Sequence, residues 1–320
     1  QKTQEAPGDG AEPCFRGGGA LCSGRRMKPA HLILLIIMNF FWAGTYTAFK
    51  ALAPHLDAGG VATLRYGLAA LVMALGWPWL GGTAPRGRDL IRTALMGVMV
   101  FVFAPRLQVA GVQMGQAADA AVLMALEPLV ASVAAAFFLR EYIGPRRWIG
   151  FALGLSGAVF MARVWRPDFH LPGLAANGLF IASFVCEAAY SVMGKPLLGR
   201  AGLLKIVAVA LLAGAAVNLL WDGRATLAAA RVLPGHVWGV LIYLSVICTV
   251  VGYAVWFVVI RTAEVNVAAL TVFIQPVLGL LIAKVTLNEA WHWGQLWGSL
   301  AILLGLGIGL SRQITIRRRK

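Results

Sequence analysis

Charge is scarce in this chain: Asp, Glu, Lys and Arg together make up 13% of 320 residues, and only 13 residues are acidic. With 59% hydrophobic residues and a mean hydropathy of +0.76, that scarcity excludes an ordinary soluble domain, whose surface needs far more polar cover. Cysteine is rare too, and Cys14, Cys22, Cys186 and Cys248 form neither a metal-like spacing nor a disulfide framework, so no metal or cofactor is expected. The histidines, at 31, 55, 170, 236 and 292, are scattered. A membrane-embedded enzyme acting on lipid-linked substrates, the competing reading, would need them clustered with carboxylates at one membrane face. No G-x-x-x-x-G-K-[ST] loop is present to cradle a nucleotide, which argues against an ATP-driven pump. No stretch is left over for a soluble output domain of the kind a sensor carries.

What the chain has in quantity is apolar sequence. A membrane crossing takes roughly 20 apolar residues, and about ten such stretches follow one another, separated by short polar turns: about 31–50, 61–80, 93–111, 117–139, 147–164, 174–193, 203–221, 237–259, 265–286 and 293–310. The expected fold class is an all-α integral membrane protein. Residues 1–26 are rich in Gly and Pro, carry no apolar run and are expected to be a disordered extension. Met27, followed by a basic residue and a full-length apolar run, is the expected translation start, with no signal peptide. The formal charge of +15 does not point to nucleic acid, because the basic residues sit in the turns and in the tail 312–320.

One stretch is written twice. Shifting 115–161 forward by 148 residues places Leu126, Pro128, Leu139, Glu141, Gly150 and Gly157 on Ile274, Pro276, Leu287, Glu289, Gly298 and Gly305 without a gap. A gapless series of this kind is an internal repeat. The turn of the first copy carries Arg140, Arg146 and Arg147, where the second has Asn288, Gly294 and Gln295. Cytoplasmic turns collect Lys and Arg, so the two turns are expected on opposite sides of the bilayer. The expected organisation is therefore two inverted five-helix repeats, 27–165 and 174–311, joined by the Pro-containing linker 166–173. An odd number of spans per repeat inverts the second copy independently. Placing both termini in the cytoplasm puts sixteen basic residues inside and six outside, which selects a multi-pass protein of the inner (plasma) membrane.

Ionisable groups inside spans are costly and face a partner or a wet cavity. Glu127 stands before Pro128, which removes a backbone hydrogen bond and permits a kink with a local polar opening; its repeat partner is Gln275 before Pro276. Glu127 either lines a cavity, caps freed backbone groups or pairs with Arg106. Glu187 is the second acidic residue within a span, and a buried carboxyl of either kind suits proton coupling. Arg106 and Asp119 come at similar depth and read first as a structural ion pair. Tyr46 and Tyr190 match when the first span is slid onto the sixth by 144 residues, and with Trp42 and Trp256 they would suit the walls of a cavity between repeats, if they are not simply packing aromatics. Arg65, near the start of the second span, is placed with the structural residues. Glu141 and Glu289, just past the fourth and ninth spans, read as caps. Gly150 with Gly154, and Gly294 with Gly298, allow close helix packing within one protomer or between two, which leaves a homodimer open.

The segments FFWAGTYTAFK, ATLRYGLAAL and the paired ALEPLVASVAAAFFLREYIGPRRWIGFALGLSGAVFMA and FIQPVLGLLIAKVTLNEAWHWGQLWGSLAILLGLGIG resemble the drug/metabolite transporter superfamily, in its ten-span EamA branch. The resemblance covers nearly everything after Met27. It implies two five-helix repeats, a central cavity and a non-enzymatic secondary transporter that exports or exchanges small metabolites such as amino acids or drugs by alternating access. The region of the seventh span, GLLKIVAVALLAGAAVNLLW, has no counterpart of Arg65, so a site using that arginine departs from strict symmetry.

Overall fold

The computed structural model describes residues 27–113, 125–165, 174–287 and 293–311. Among them the chain is helical throughout: α1 (Pro29–Leu52), α2 (Ala58–Leu75), α3 (Arg88–Val98), a π-helical turn Met99–Phe103, α4 (Ala104–Gln113), α5 (Glu127–Phe138), α6 (Pro145–Ala162), α7 (Leu174–Gly194), α8 (Leu203–Ala230), α9 (Gly235–Ile242), a second π-helical stretch Tyr243–Val251, α10 (Gly252–Ile260), α11 (Val265–Leu270), a 3-10 turn Thr271–Phe273, α12 (Ile274–Leu287) and α13 (Trp293–Leu310). Among the described residues, seven helical runs are long and apolar enough to cross a membrane: Pro29–Phe49, Ala58–Leu75, Arg88–Gly111, Leu203–Ala230, Gly235–Ile260, Val265–Ile282 and Trp293–Leu310. Of the other three expected crossings, the fourth is described only from Ala125 onward, as the short apolar α5. The fifth and sixth are α6 and α7, of 18 and 21 residues, which fall outside the seven. In α6 the pair Arg146 and Arg147 occupies the first turn and dilutes its apolarity.

The surface is apolar where a soluble protein would be polar. Leu220 is 88% exposed, Phe137 78% and Trp293 75%, which only lipid tails would cover without penalty. In lipid, helices associate through close packing more than through the hydrophobic effect, so small residues decide where backbones meet. α6 crosses α13 on glycine: a Cβ on Gly157 would lie 2.6 Å from the Gly298 carbonyl oxygen, and one on Gly150 would lie 2.9 Å from that of Gly305. Residue numbers rise along one helix as they fall along the other, so the two run antiparallel. Of the glycines expected to pack, Gly150 and Gly298 thus meet the opposite helix within one protomer, while a Cβ on Gly154 would meet the Phe273 ring. At the α3–α8 crossing Gly97 approaches so closely that a Cβ would sit 2.0 Å from the Ala210 carbonyl oxygen.

The third span is irregular just ahead of Pro105. With no N–H there, the Phe101 carbonyl loses its helical donor, the backbone widens into the π turn, and Asn218 Nδ2 on α8 supplies a replacement bond of 2.9 Å. The eighth span widens at the equivalent depth without a proline, and there Trp42 Nε1 donates to the Cys248 carbonyl at 2.8 Å. Two expectations are corrected. The seventh span does not end near 221 but continues as α8 to Ala230, because Asp222 is not a turn residue: it pairs with Arg106 across the α4–α8 contact. Pro128 and Pro276 do not kink continuous helices. Each stands in the first turn of a new one, α5 or α12, after a turn at Ala125 and Leu126 or after the 3-10 turn, since proline is accommodated where its missing N–H has no partner to lose.

Candidate functional site: a mid-span cavity with a carboxyl pair

A cavity of about 640 Å³ lies among α1, α2, α5, α7, α10 and α12, and it draws on both halves of the chain. The volume is that of a pocket for a small organic molecule. Its wall holds Glu127, Glu187, Arg65 and Gln275 among the aromatics Trp42, Tyr66, Tyr190, Tyr253 and Trp256, and it extends to Ala53, Leu56 and Ala58 around the α1–α2 turn.

Glu127 reaches the cavity because α5 begins there: the helix break ahead of Pro128 exposes the first turn. Glu187 comes from the middle of α7, which packs along α5, and it shares the cavity wall with Glu127. Arg65, in the same wall, is 9% exposed; its Nε donates to Thr249 Oγ1 at 2.9 Å, and its guanidinium carbon lies 5.1 Å from the Tyr66 ring centre. Gln275 Nε2 donates to Asn39 Oδ1 at 2.8 Å, and Asn39 in turn donates to Thr271 Oγ1 at 3.2 Å, which stitches the start of α12 to α1.

The aromatic residues are oriented by their polar ends. Trp42 is fixed by its bond to Cys248, and Trp256 Nε1 donates to Ser191 Oγ at 2.9 Å. Tyr190 donates from its hydroxyl to the Tyr253 carbonyl at 3.3 Å, while its ring stacks on Phe257 with centroids 4.1 Å apart. The Trp42 and Trp256 rings approach to 6.3 Å. Of Tyr46 only the backbone, within α1, is described.

Beyond the C-terminal end of α5 stands a polar cluster. Arg140, with φ of 55°, turns the chain after α5 so that Glu141 reaches the start of α11. There Glu141 accepts from the backbone N–H of Val265 at 2.9 Å and of Asn266 at 3.2 Å, and from Lys195 Nζ at 2.7 Å. Arg147 adds contacts to Asn266 and Glu264. Glu141 is thus a cap, although for α11 and not for the turn it sits in.

The structure therefore brings together Trp42, Glu127, Glu187, Tyr190, Trp256 and Gln275, with Pro128 beside Glu127. Arg106 does not join them: it meets Asn218 and Asp222 and lies 4.8 Å from the Trp221 ring centre. Its expected partner Asp119 lies outside the described residues, as does Glu289. Arg65, grouped with the structural residues on sequence, stands in the cavity wall. Tyr66, Thr249 and Tyr253 were not singled out by sequence. Tyr66 adjoins Arg65, but Thr249 and Tyr253 lie in an apolar run where nothing marks which face turns inward.

Among solved structures, one crystal structure superposes with a TM-score of 0.71 at 17% identity, covering 88% of this chain and 96% of its own, which speaks to the fold alone. An "Uncharacterized transporter" of Archaeoglobus fulgidus is 26% identical over 285 residues, 88% of this chain and 99% of that protein. A "Probable terminal-alkyne amino-acid exporter" of Streptantibioticus cattleyicolor is 28% identical over 288 residues, 89% of this chain and 92% of that one. A "Riboflavin transporter" of Vibrio cholerae is 28% identical over 167 residues, half of each chain. The EamA-like transporter family matches at residues 30–163 and again at 174–310, on either side of the linker, and the chain, a multi-pass membrane protein, belongs to that family.

Proposed function

We propose that the protein is a secondary transporter in which two inverted five-helix repeats rock about the mid-span cavity to export or exchange a small metabolite. The observation that carries this reading is the cavity itself, walled by residues of both repeats around the Glu127–Glu187 pair. Inversion is supported by the α6–α13 crossing. The contact of Gly150 with Gly305 becomes that of Gly298 with Gly157 under the same shift of 148 residues, and in antiparallel helices this is the relation of a two-fold axis lying across them. The π turns agree, since Met99–Phe103 maps onto 247–251, within the second π stretch.

With the termini inside, the Glu141 cluster is on the cytoplasmic side and the α1–α2 turn is outside. This conformation then presents the cavity outward, with the cytoplasmic end held by Glu141, Lys195 and Arg147. A proton is the proposed coupling ion, carried by the carboxyl pair. The reading is tested by comparing metabolites exported from cells overexpressing the chain with those from cells expressing Glu127→Gln. A metabolite that accumulates outside only with the native chain is expected, and identical profiles would refute transport through this cavity.

A further inference from the structure

The histidines are scattered in the sequence, yet the fold brings two of them together. His55 stands in the turn between α1 and α2 and His236 in the first turn of α9, and their ring centres lie 5.8 Å apart with the planes at 71°. One comes from the first family match and the other from the second, so the pair spans the two halves of the chain. Apolar packing underneath sets the distance: Leu52 and Leu56, on either side of His55, are buried in one cluster with Val237 and Leu241, which follow His236. Both histidines are themselves exposed. Among the described residues no hydrogen bond claims a nitrogen of either ring.

Imidazole is the commonest side-chain ligand of transition ions. Two rings on one tetrahedral zinc, each nitrogen about 2.1 Å from the ion, have centres about 5.3 Å apart, and the angle between their planes is left free. The observed pair therefore needs to close by only about half an ångström, which side-chain rotation at an exposed site supplies. Asp57, with one carboxylate oxygen on the Gly60 N–H at 2.8 Å, lends negative charge to the same turn. The positive end of α9 opposes a cation, but such an effect is weak at an exposed site.

We propose that His55 and His236 together bind a divalent transition ion such as zinc, with water in its remaining positions. The consequence for movement rests on the reading of the protein as a transporter with its termini inside. The site then faces out, and the ion ties α9 to the α1–α2 turn, whose Ala53, Leu56 and Ala58 line the cavity. An ion that needs both histidines side by side favours the conformation that holds them so, and slows its exchange for the other.

The test uses the purified full chain without an added histidine tag. Zinc is titrated by calorimetry into the native chain, His55→Gln, His236→Gln and the double variant, with His31→Gln, at the opposite end of α1, as the control. Each single variant is expected to bind at least about tenfold more weakly, the double variant to lose the site, and His31→Gln to match the native chain. Zinc on the cysteines or other histidines persists in the double variant and counts as background. Because the site forms only in the folded chain, zinc should also raise the midpoint of thermal unfolding of the native chain and not of the double variant. Equal binding by these two, an adventitious ion only, overturns the inference. So does a single variant that binds as the native chain does, since one histidine then suffices. Should the double variant fail to fold, the two single variants decide. In cells, zinc outside should slow export by the native chain and not by the double variant; equal slowing overturns the brake on movement. Zinc binding through both histidines in a chain that exports nothing would sink the transport reading and leave the metal site standing.

Discussion

Two buried polar arrangements in this protein serve different ends, and single substitutions separate them. Asn218 satisfies the Phe101 carbonyl that Pro105 strands and also contacts Arg106, so Asn218→Leu orphans a backbone acceptor in an apolar setting. A loss of about 1 to 3 kcal/mol is expected, read as a lowered midpoint of thermal unfolding in detergent, with cargo affinity unchanged in the protein that remains folded. Glu127 acts oppositely. Glu127→Gln keeps shape and hydrogen bonding and leaves Glu187 in place, so stability and substrate binding should persist. The variant lacks one of the two carboxyl groups proposed to carry the proton, and transport driven by a pH gradient across proteoliposomes should be lost while exchange of substrate for substrate continues. Full gradient-driven transport by that variant would remove Glu127 as the proton carrier and turn attention to Glu187.

At the scale of elements, the α6–α13 crossing tolerates nothing larger than hydrogen. A side chain at Gly157 meets the backbone of α13 at 2.6 Å, and backbone yields far less than a flexible side chain would. Gly157→Leu is therefore expected to cost at least about 1 to 3 kcal/mol through overpacking. The outcome to measure is the fraction of folded, monodisperse protein in detergent; Gly178→Leu, where a Cβ meets open space, is the control and should behave as the native chain does. The Glu141 cap belongs to the same scale. It satisfies two backbone N–H groups of α11 and pairs with Lys195, so Glu141→Gln weakens the contact of α5 with α11 and α7. If that cluster shuts the cytoplasmic end, the variant should shift toward an inward-open form, seen as faster labelling of a cysteine placed at Ser191 by a thiol reagent added from the cytoplasmic side. Unchanged labelling would mean that the cluster is no gate.

For the whole molecule the proposal of inversion makes a topological prediction. In a background without native cysteines, a cysteine at Tyr142 should resist a membrane-impermeant reagent in intact cells, whereas one at Ala290 should react. Both reacting, or the reverse pattern, would contradict opposed repeats. The asymmetry of the cavity belongs to this scale as well. Arg65 has no counterpart in α8 and Glu127 corresponds to Gln275 in the repeat, so the proposed two-fold relation of the halves does not extend to the polar residues of the cavity.

Much of this was determined locally and could be read from the sequence. Apolar runs of membrane length and glycines repeating at fixed spacing express short-range rules of solvation and backbone geometry, and a polar residue ahead of a proline inside such a run marked Glu127 and Gln275 as cavity candidates. What tertiary structure alone decided is pairing and facing. In an apolar helix every side is hydrophobic, so periodicity does not say which side turns inward, and Thr249 and Tyr253 carried no mark. Arg65 looked structural because its distance from the carboxyl pair is set by packing between elements far apart in the chain. Arg106 found Asp222, 116 residues away, because the third span packs along α8 through α3 and the π turn, and Glu141 capped α11 because the chain folds back on itself there. Such contacts depend on which helices are neighbours, a property of the assembled bundle that no single span contains.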